Sequence, residues 1–171
     1  MISCTFEGGN IANPGIRHVT TSNIILNDNN QVLMCLRGAK NGIPILENGK
    51  WGLLVGYVDR DETIIKSVKR EVLEESGWTI DDIYLLWIND NPNRPKEDLQ
   101  NIDFVYVAKV VCQEMVHDEE VKELRWFNLD DLPSEDQIAF DHALAIKLYK
   151  LYIKHRSNPL ELPIFGYSAL E

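Results

Sequence analysis

Residues 56–78, GYVDRDETIIKSVKREVLEESGW, decide how this chain is read. Glu71, Glu74 and Glu75 stand at i, i+3 and i+4, which puts all three on one edge of a helix of 3.6 residues per turn. Like charges so placed repel by roughly 0.2–0.5 kcal/mol per exposed pair. The apolar pattern sharpens the point. Ile64 and Val68 mark the inward stripe, and seven residues further on, nearly two whole turns, come Glu71 and Glu75. A solvated helix keeps its acids opposite its apolar face; here the apolar stripe ends in acids, so a cation is expected among them. Hard divalent ions such as Mg²⁺ take oxygen ligands, and carboxylates supply them. Arg70 is next to these acids in sequence and lies two turns beyond Glu62. An Arg70–Glu62 ion pair would orient the helix entry without using up the metal ligands. Gly77 is expected to close the helix as a left-handed cap.

The bulk numbers bound the rest. A chain of 171 residues has enough core for one domain, taken as 1–171 with a core of about 18–156 between an irregular N-terminal segment and a C-terminal tail. No run approaches a membrane span, and the start, MISCTFEGGN, lacks a signal pattern. Cys4, Cys35 and Cys112 lack paired metal spacing and read as free thiols of a reducing compartment, with Cys35 and Cys112 packed in the core. A cytoplasmic protein with no membrane partner is expected. The formal charge of −10 argues against a nucleic-acid backbone as the main partner. A diphosphate arriving with metal ions is not excluded, because the ions reverse the sign of the site.

Strand-like runs cover His18–Leu26, Gln31–Arg37, Trp51–Val58, Thr79–Asn89, Ile102–Val111 and Val121–Phe127. Gly38–Lys50 reads as a loop, Asp90–Gln100 as a polar loop, and Ile138 to about His155 as a second helix. Strands, one helix, more strands and a last helix make an α/β or α+β domain rather than a doubly wound sheet.

The segment resembles the Nudix box of the Nudix hydrolases: glycine, five residues, glutamate, seven residues, then R-E-U-x-E-E-x-G-U with U bulky and apolar. Gly56, Glu62, Arg70, Glu71, Val72, Glu74, Glu75, Gly77 and Trp78 fill every fixed place. The box covers 23 of 171 residues. The resemblance implies the Nudix fold, a mixed β-sheet between α-helices with the box as a loop–helix–loop. It also implies hydrolysis, with Mg²⁺ or Mn²⁺, of a nucleoside diphosphate linked to another moiety. Glu71, Glu74 and Glu75 would hold the metal, joined by Glu120, which has the spacing of a loop glutamate that swings to the site in relatives. The general base is left open among Glu74, Glu75 and Glu120, and Arg70 would brace the glutamates.

Arg37, Gly56, Arg94 and Lys96 are the candidate substrate contacts; Arg37 could instead pair with an acid. Trp51 resembles the tryptophan that opens W-x-L-P-G-G before the box, but Leu54 and Val55 replace its proline and first glycine, so that loop is expected to differ. Phe140, Asp141 and His142 resemble a segment of ADP-ribose pyrophosphatase-like members. With the near-miss prolines Pro92 and Pro95, they tilt the substrate toward ADP-ribose or another nucleotide sugar. The partner is then a small molecule, and a homodimer is compatible with the resemblance. The alternatives are a non-catalytic nucleotide-sensing protein, disfavoured by the intact box, and an isopentenyl diphosphate isomerase-like activity, for which the histidines are too scattered.

Overall fold

The computed structural model describes residues 17–94 and 101–155. Its main sheet has seven strands: β1 (Val19–Leu26), β2 (Gln31–Arg37), β5 (Trp51–Gly52), β6 (Leu54–Tyr57), β7 (Trp78–Asn89), β8 (Ile102–Gln113) and β9 (Val121–Asn128). A small hairpin, β3 (Ala39–Lys40) with β4 (Ile43–Pro44), stands apart, and two helices complete the domain, α1 (Ile64–Ser76) and α2 (His142–His155). The strand path is β5-β2-β1-β8-β7, with β6 paired to β1 and β9 to β2. β1 and β8 run parallel and the remaining pairs antiparallel, so the sheet is mixed.

Period-2 alternation explains why both faces are covered. Ile24, Leu26, Val32, Met34, Val105 and Val107 point to one side and pack with Ala145, Ile146, Leu148 and Tyr149 of α2. Ile25, Leu33, Cys35, Tyr106 and Ala108 point to the other and pack with Val68 and Val72 of α1. The helices thus sandwich the sheet. Among the described residues no helix is long and apolar enough to cross a membrane.

Four expectations are corrected. The stretch Gly38–Lys50 is not all loop: Asn41 (φ 51°) and Gly42 (φ 75°) make the tight turn of the β3–β4 hairpin, the backbone that an Asn-Gly pair favours. The strand Trp51–Val58 is split at Leu53 and serves two partners, β5 on β2 and β6 on β1. The last helix begins at His142, not Ile138, because Ile138 bridges Trp51 and Phe140 turns into the left-handed region at φ 50°. Cys35 is buried as expected, but Cys112 is exposed because it lies beyond the packed part of β8. Cys4 lies outside the described residues.

Candidate active site

Helix α1 carries the site. Thr63 caps its start, its side chain accepting from Lys66 N, and Gly77 ends it at φ 74° with its N–H on Leu73 O. A Cβ at Gly77 would sit 1.8 Å from Met115 O, so glycine is required by space as well as by φ. Val68, Val72 and Glu75 share the buried face, as the stripe predicted. Glu74 and Glu75 occupy the last turn, where the helix dipole disfavours negative charge, and that turn holds no basic residue.

Arg70 stands among the acids. Its Nε and Nη2 donate to Glu62 at 3.0 and 2.9 Å, and Nη2 also donates to Tyr57 O at 3.0 Å. Its Nη1 donates to Glu71 at 2.7 Å and to Glu74 at 3.1 Å. The expected Arg70–Glu62 pair is therefore present, and the guanidinium also reaches Glu71 and Glu74. Through the Arg70 bond, Glu62 is held below the usual carboxylate range.

Burial sets the electrostatics. Desolvation pushes Glu71 up from 4.5 to about 7 against the lowering pull of Arg70. Desolvation also raises Glu75 well above its ordinary value; the Val55 N–H on its Oε2, at 2.8 Å, pulls the other way, and the Glu71 charge adds to the rise. Gly56 makes room for this arrangement, since a Cβ there would lie 1.8 Å from Glu71 Cδ. Its place in the motif is explained by that approach, with no left-handed φ needed. Val55 likewise keeps an ordinary strand conformation, and Leu54 is fully buried, so the departure from the Pro-Gly pattern is accommodated within β6.

The loop from Glu114 to Glu120 wraps the end of α1. Glu114 N and Met115 N donate to Gly77 O, and Asp118 N donates to Glu74 O at 3.0 Å. Asp118, missed in the sequence, is the acid this tether brings next to Glu74. Burial raises it and the Glu120 charge adds to the rise, while Glu120 N donates to its side chain. Glu120 itself is held by Lys40 at 2.5 Å. The sequence signal for Asp118 was its place two residues before Glu120 in an acidic run.

No three acidic side chains among the described residues converge on one point as they stand. The donor chemistry nonetheless fits a hard divalent cation. Glu71, Glu74 and Glu75 offer only oxygen, two of them are desolvated, and the last turn of the helix holds no basic residue. Arg70 Nη1 occupies one oxygen of each of Glu71 and Glu74, Oε1 and Oε2 respectively, and leaves the other to an ion.

The other candidates divide. Arg94 is 7% exposed, with Nε and Nη2 on Asp141 at 2.9 and 2.7 Å and Asp103 at 3.6 Å. Burial and the Asp141 fork thus engage the guanidinium in an ion pair, which competes with the substrate contact expected of it. Burial works to raise Asp141, but the Arg94 bonds hold it below the usual range. Arg37, a candidate for a substrate contact or an acid partner, donates Nε to Leu46 O at 2.8 Å and lies 5.0 Å from the Phe140 ring centre. His142 is structural: its Nδ1 accepts from Leu53 N at 3.0 Å, and burial pushes it down to about 3. Lys96 and Pro95 lie outside the described residues.

Comparison with known proteins agrees with this geometry. The NUDIX domain profile matches residues 16–149. The ADP-ribose pyrophosphatase of Methanocaldococcus jannaschii is 32% identical over 126 residues, covering 73% of this chain and 69% of that protein. The NAD-capped RNA hydrolase NudC of Salmonella agona is 32% identical over 87 residues, covering 50% of this chain but only 32% of that protein. In fold, the chain is similar to the crystal structure of a NUDIX hydrolase from Nitrosomonas europaea, with TM-score 0.66, 24% identity, and 88% of this chain and 76% of that chain covered. On the box, the fold around it and these matches, the chain belongs to the Nudix hydrolase family.

Proposed function

We infer that the protein hydrolyses the diphosphate of a nucleoside diphosphate linked to another moiety, with ADP-ribose or a related nucleotide sugar as substrate and Mg²⁺ or Mn²⁺ as cofactor. The observation that carries this reading is the acidic end of α1: Glu71 and Glu75 lie desolvated beside Glu74, with no basic residue in that turn. A bound divalent ion would neutralise diphosphate charge and lower the pKa of an attacking water. Glu71, Glu74 and Glu75 would hold it, with Asp118 and Glu120 on the adjoining loop in reach of a supporting role. Glu75 is anchored through one oxygen by Val55 N, leaving Oε1 to take a ligand or a proton. Arg70 keeps the carboxylates oriented.

The nucleotide-sugar choice draws support from Phe140–His142 and from similarity to a protein named as an ADP-ribose pyrophosphatase. The test is a screen with Mg²⁺ and with Mn²⁺ of ADP-ribose, sugar nucleotides, NAD, dinucleoside polyphosphates and nucleoside triphosphates, followed by product identification. Cleavage of ADP-ribose to AMP and ribose phosphate supports the reading. Cleavage of triphosphates alone overturns the substrate. Nucleotide binding without turnover under either metal favours the sensing alternative.

A further inference from the structure

The β3–β4 hairpin and the acidic loop before β9 are built against each other. Gly38 N donates to Glu120 O at 2.8 Å, Asn41 N donates to the Glu119 carboxylate at 3.1 Å, and Lys40 Nζ donates to Glu120 Oε1 at 2.5 Å. A Cβ on Gly38 would press to 3.0 Å from Glu120 O, so the two strands of chain are as close as glycine allows. The Asn48 side-chain amide and Ile45 N both donate to Gly38 O, fixing the hairpin base. The same acidic loop is tied to the box helix through Asp118 N and Glu74 O. Lys40 is thereby carried on a fixed backbone to the side of the site where the helix carboxylates end.

The cations described above differ in how firmly they are held. Arg70 is shared among Glu62, Glu71, Glu74 and the Tyr57 carbonyl. Arg94 is buried on Asp141. Lys40 is 51% exposed at its side chain and pairs with Glu120, itself 27% exposed; such a pair is worth little in water and exchanges readily. Asp118, Glu119 and Glu120 all act on its ammonium. A diphosphate brings more negative charge to this place than a metal ion alone cancels, and a compact ammonium on a four-carbon stem suits a phosphate oxygen as a point charge.

We propose that Lys40 is a phosphate-positioning residue, held on Glu120 while the site is empty and passing to a non-bridging oxygen of the diphosphate when Glu120 turns to the metal. The hairpin is pinned by bonds that do not involve the ammonium, so release of Lys40 from Glu120 leaves its backbone held. The exchange rests on the diphosphate reading of the acidic site given above.

The test uses the full chain and the variants Lys40→Met and Lys40→Arg, with three measurements. The first is Mn²⁺ binding without nucleotide, read by the electron paramagnetic resonance signal of free Mn²⁺. The second is calorimetric binding of methylenediphosphonate with Mg²⁺, which needs no turnover. The third is steady-state hydrolysis of ADP-ribose. In Lys40→Met the competitor for Glu120 is gone, so Mn²⁺ should bind at least as tightly as in the wild type. Loss of the phosphate contact should weaken methylenediphosphonate and raise KM about tenfold with kcat within about threefold, and Lys40→Arg should recover most of both. Unchanged methylenediphosphonate affinity overturns the proposal, as does a fall in kcat at constant KM. Weaker Mn²⁺ binding in Lys40→Met also overturns it, since Lys40 would then be placing Glu120 for the metal. If the wild type fails to cleave ADP-ribose while methylenediphosphonate binding still depends on Lys40, the substrate reading fails and this inference stands.

Discussion

Replacing Glu71 by glutamine should make the metal-free protein more stable at alkaline pH and abolish most of its response to metal. Burial raises the Glu71 carboxyl from 4.5 to about 7 in the fold. A group with a raised folded-state pKa stabilises the fold fully below its unfolded value, and loses that contribution as pH rises through the folded value. Glu71 therefore supports the fold when protonated, and burdens it above pH 7 when ionised. At 1.36 kcal/mol for each tenfold change in proton affinity, the swing is about 3 kcal/mol. Glutamine is nearly isosteric with the protonated acid, and its Oε1 can still accept from Arg70 Nη1. The variant should therefore exceed the wild type by up to about 3 kcal/mol at pH 8, or roughly 6–12 °C in Tm for a domain of this size, and by less than about 1 kcal/mol at pH 5.

The assay is thermal unfolding of both proteins at pH 5 and pH 8 in excess chelator, repeated with millimolar Mg²⁺. Ligand binding to the folded state stabilises by mass action, so Mg²⁺ should raise the wild-type midpoint at pH 8 and move the variant little. A variant less stable than the wild type at pH 8 in chelator would refute the reasoning. So would an offset that is the same at both pH values, because then the desolvated charge is not what separates the two proteins.

Three further outcomes follow from the same geometry. Gly56→Ala drives a Cβ to 1.8 Å from Glu71 Cδ, so activity and Mn²⁺ affinity should fall together by tenfold or more while circular dichroism shows the fold intact. Arg94→Ala leaves Asp141 and Asp103 buried without their cation, and should cost about 3–5 kcal/mol in denaturant unfolding; a raised KM at unchanged stability would restore the substrate contact that the ion pair argues against. Arg70→Lys should keep part of the metal affinity but not all, read by Mn²⁺ titration, since an ammonium cannot fork between Glu62 and the box glutamates.

Local pattern made much of this legible. Strand-like runs such as Gln31–Arg37 and Ile102–Val111 read as strands, and the stripe Ile64, Val68, Glu71, Glu75 gave inward carboxylates, of which Glu75 is buried. The losses have a common physical cause, which is partnership across sequence distance. Arg94 read as a candidate substrate contact because Asp141, 47 residues on, could not be seen to bury it. Val55 in place of a glycine read as a change of loop shape, whereas β1 holds it extended and its N–H serves Glu75. The helical stripe from Ile138 onward concealed a start at His142, set by the Trp51 bridge and by Phe140 at positive φ. The Asn41-Gly42 turn was readable by its own chemistry and was passed over inside a polar stretch.

Arg70 shows how one side chain can serve both states of such a site. Its Nε and Nη2 are committed to Glu62 and the Tyr57 carbonyl, which lie at the entry of α1 and the end of β6, away from the acidic end. Only Nη1 faces Glu71 and Glu74. Were those carboxylates to turn to a divalent ion, the guanidinium would lose at most one nitrogen's contacts and keep the rest, so it would remain in place as a positive wall behind them. A lysine would have one nitrogen for both tasks and would have to leave one of them. The fork geometry, rather than charge alone, therefore accounts for arginine at this position. It also accounts for Glu62, which anchors the far side of the fork through Nε and Nη2.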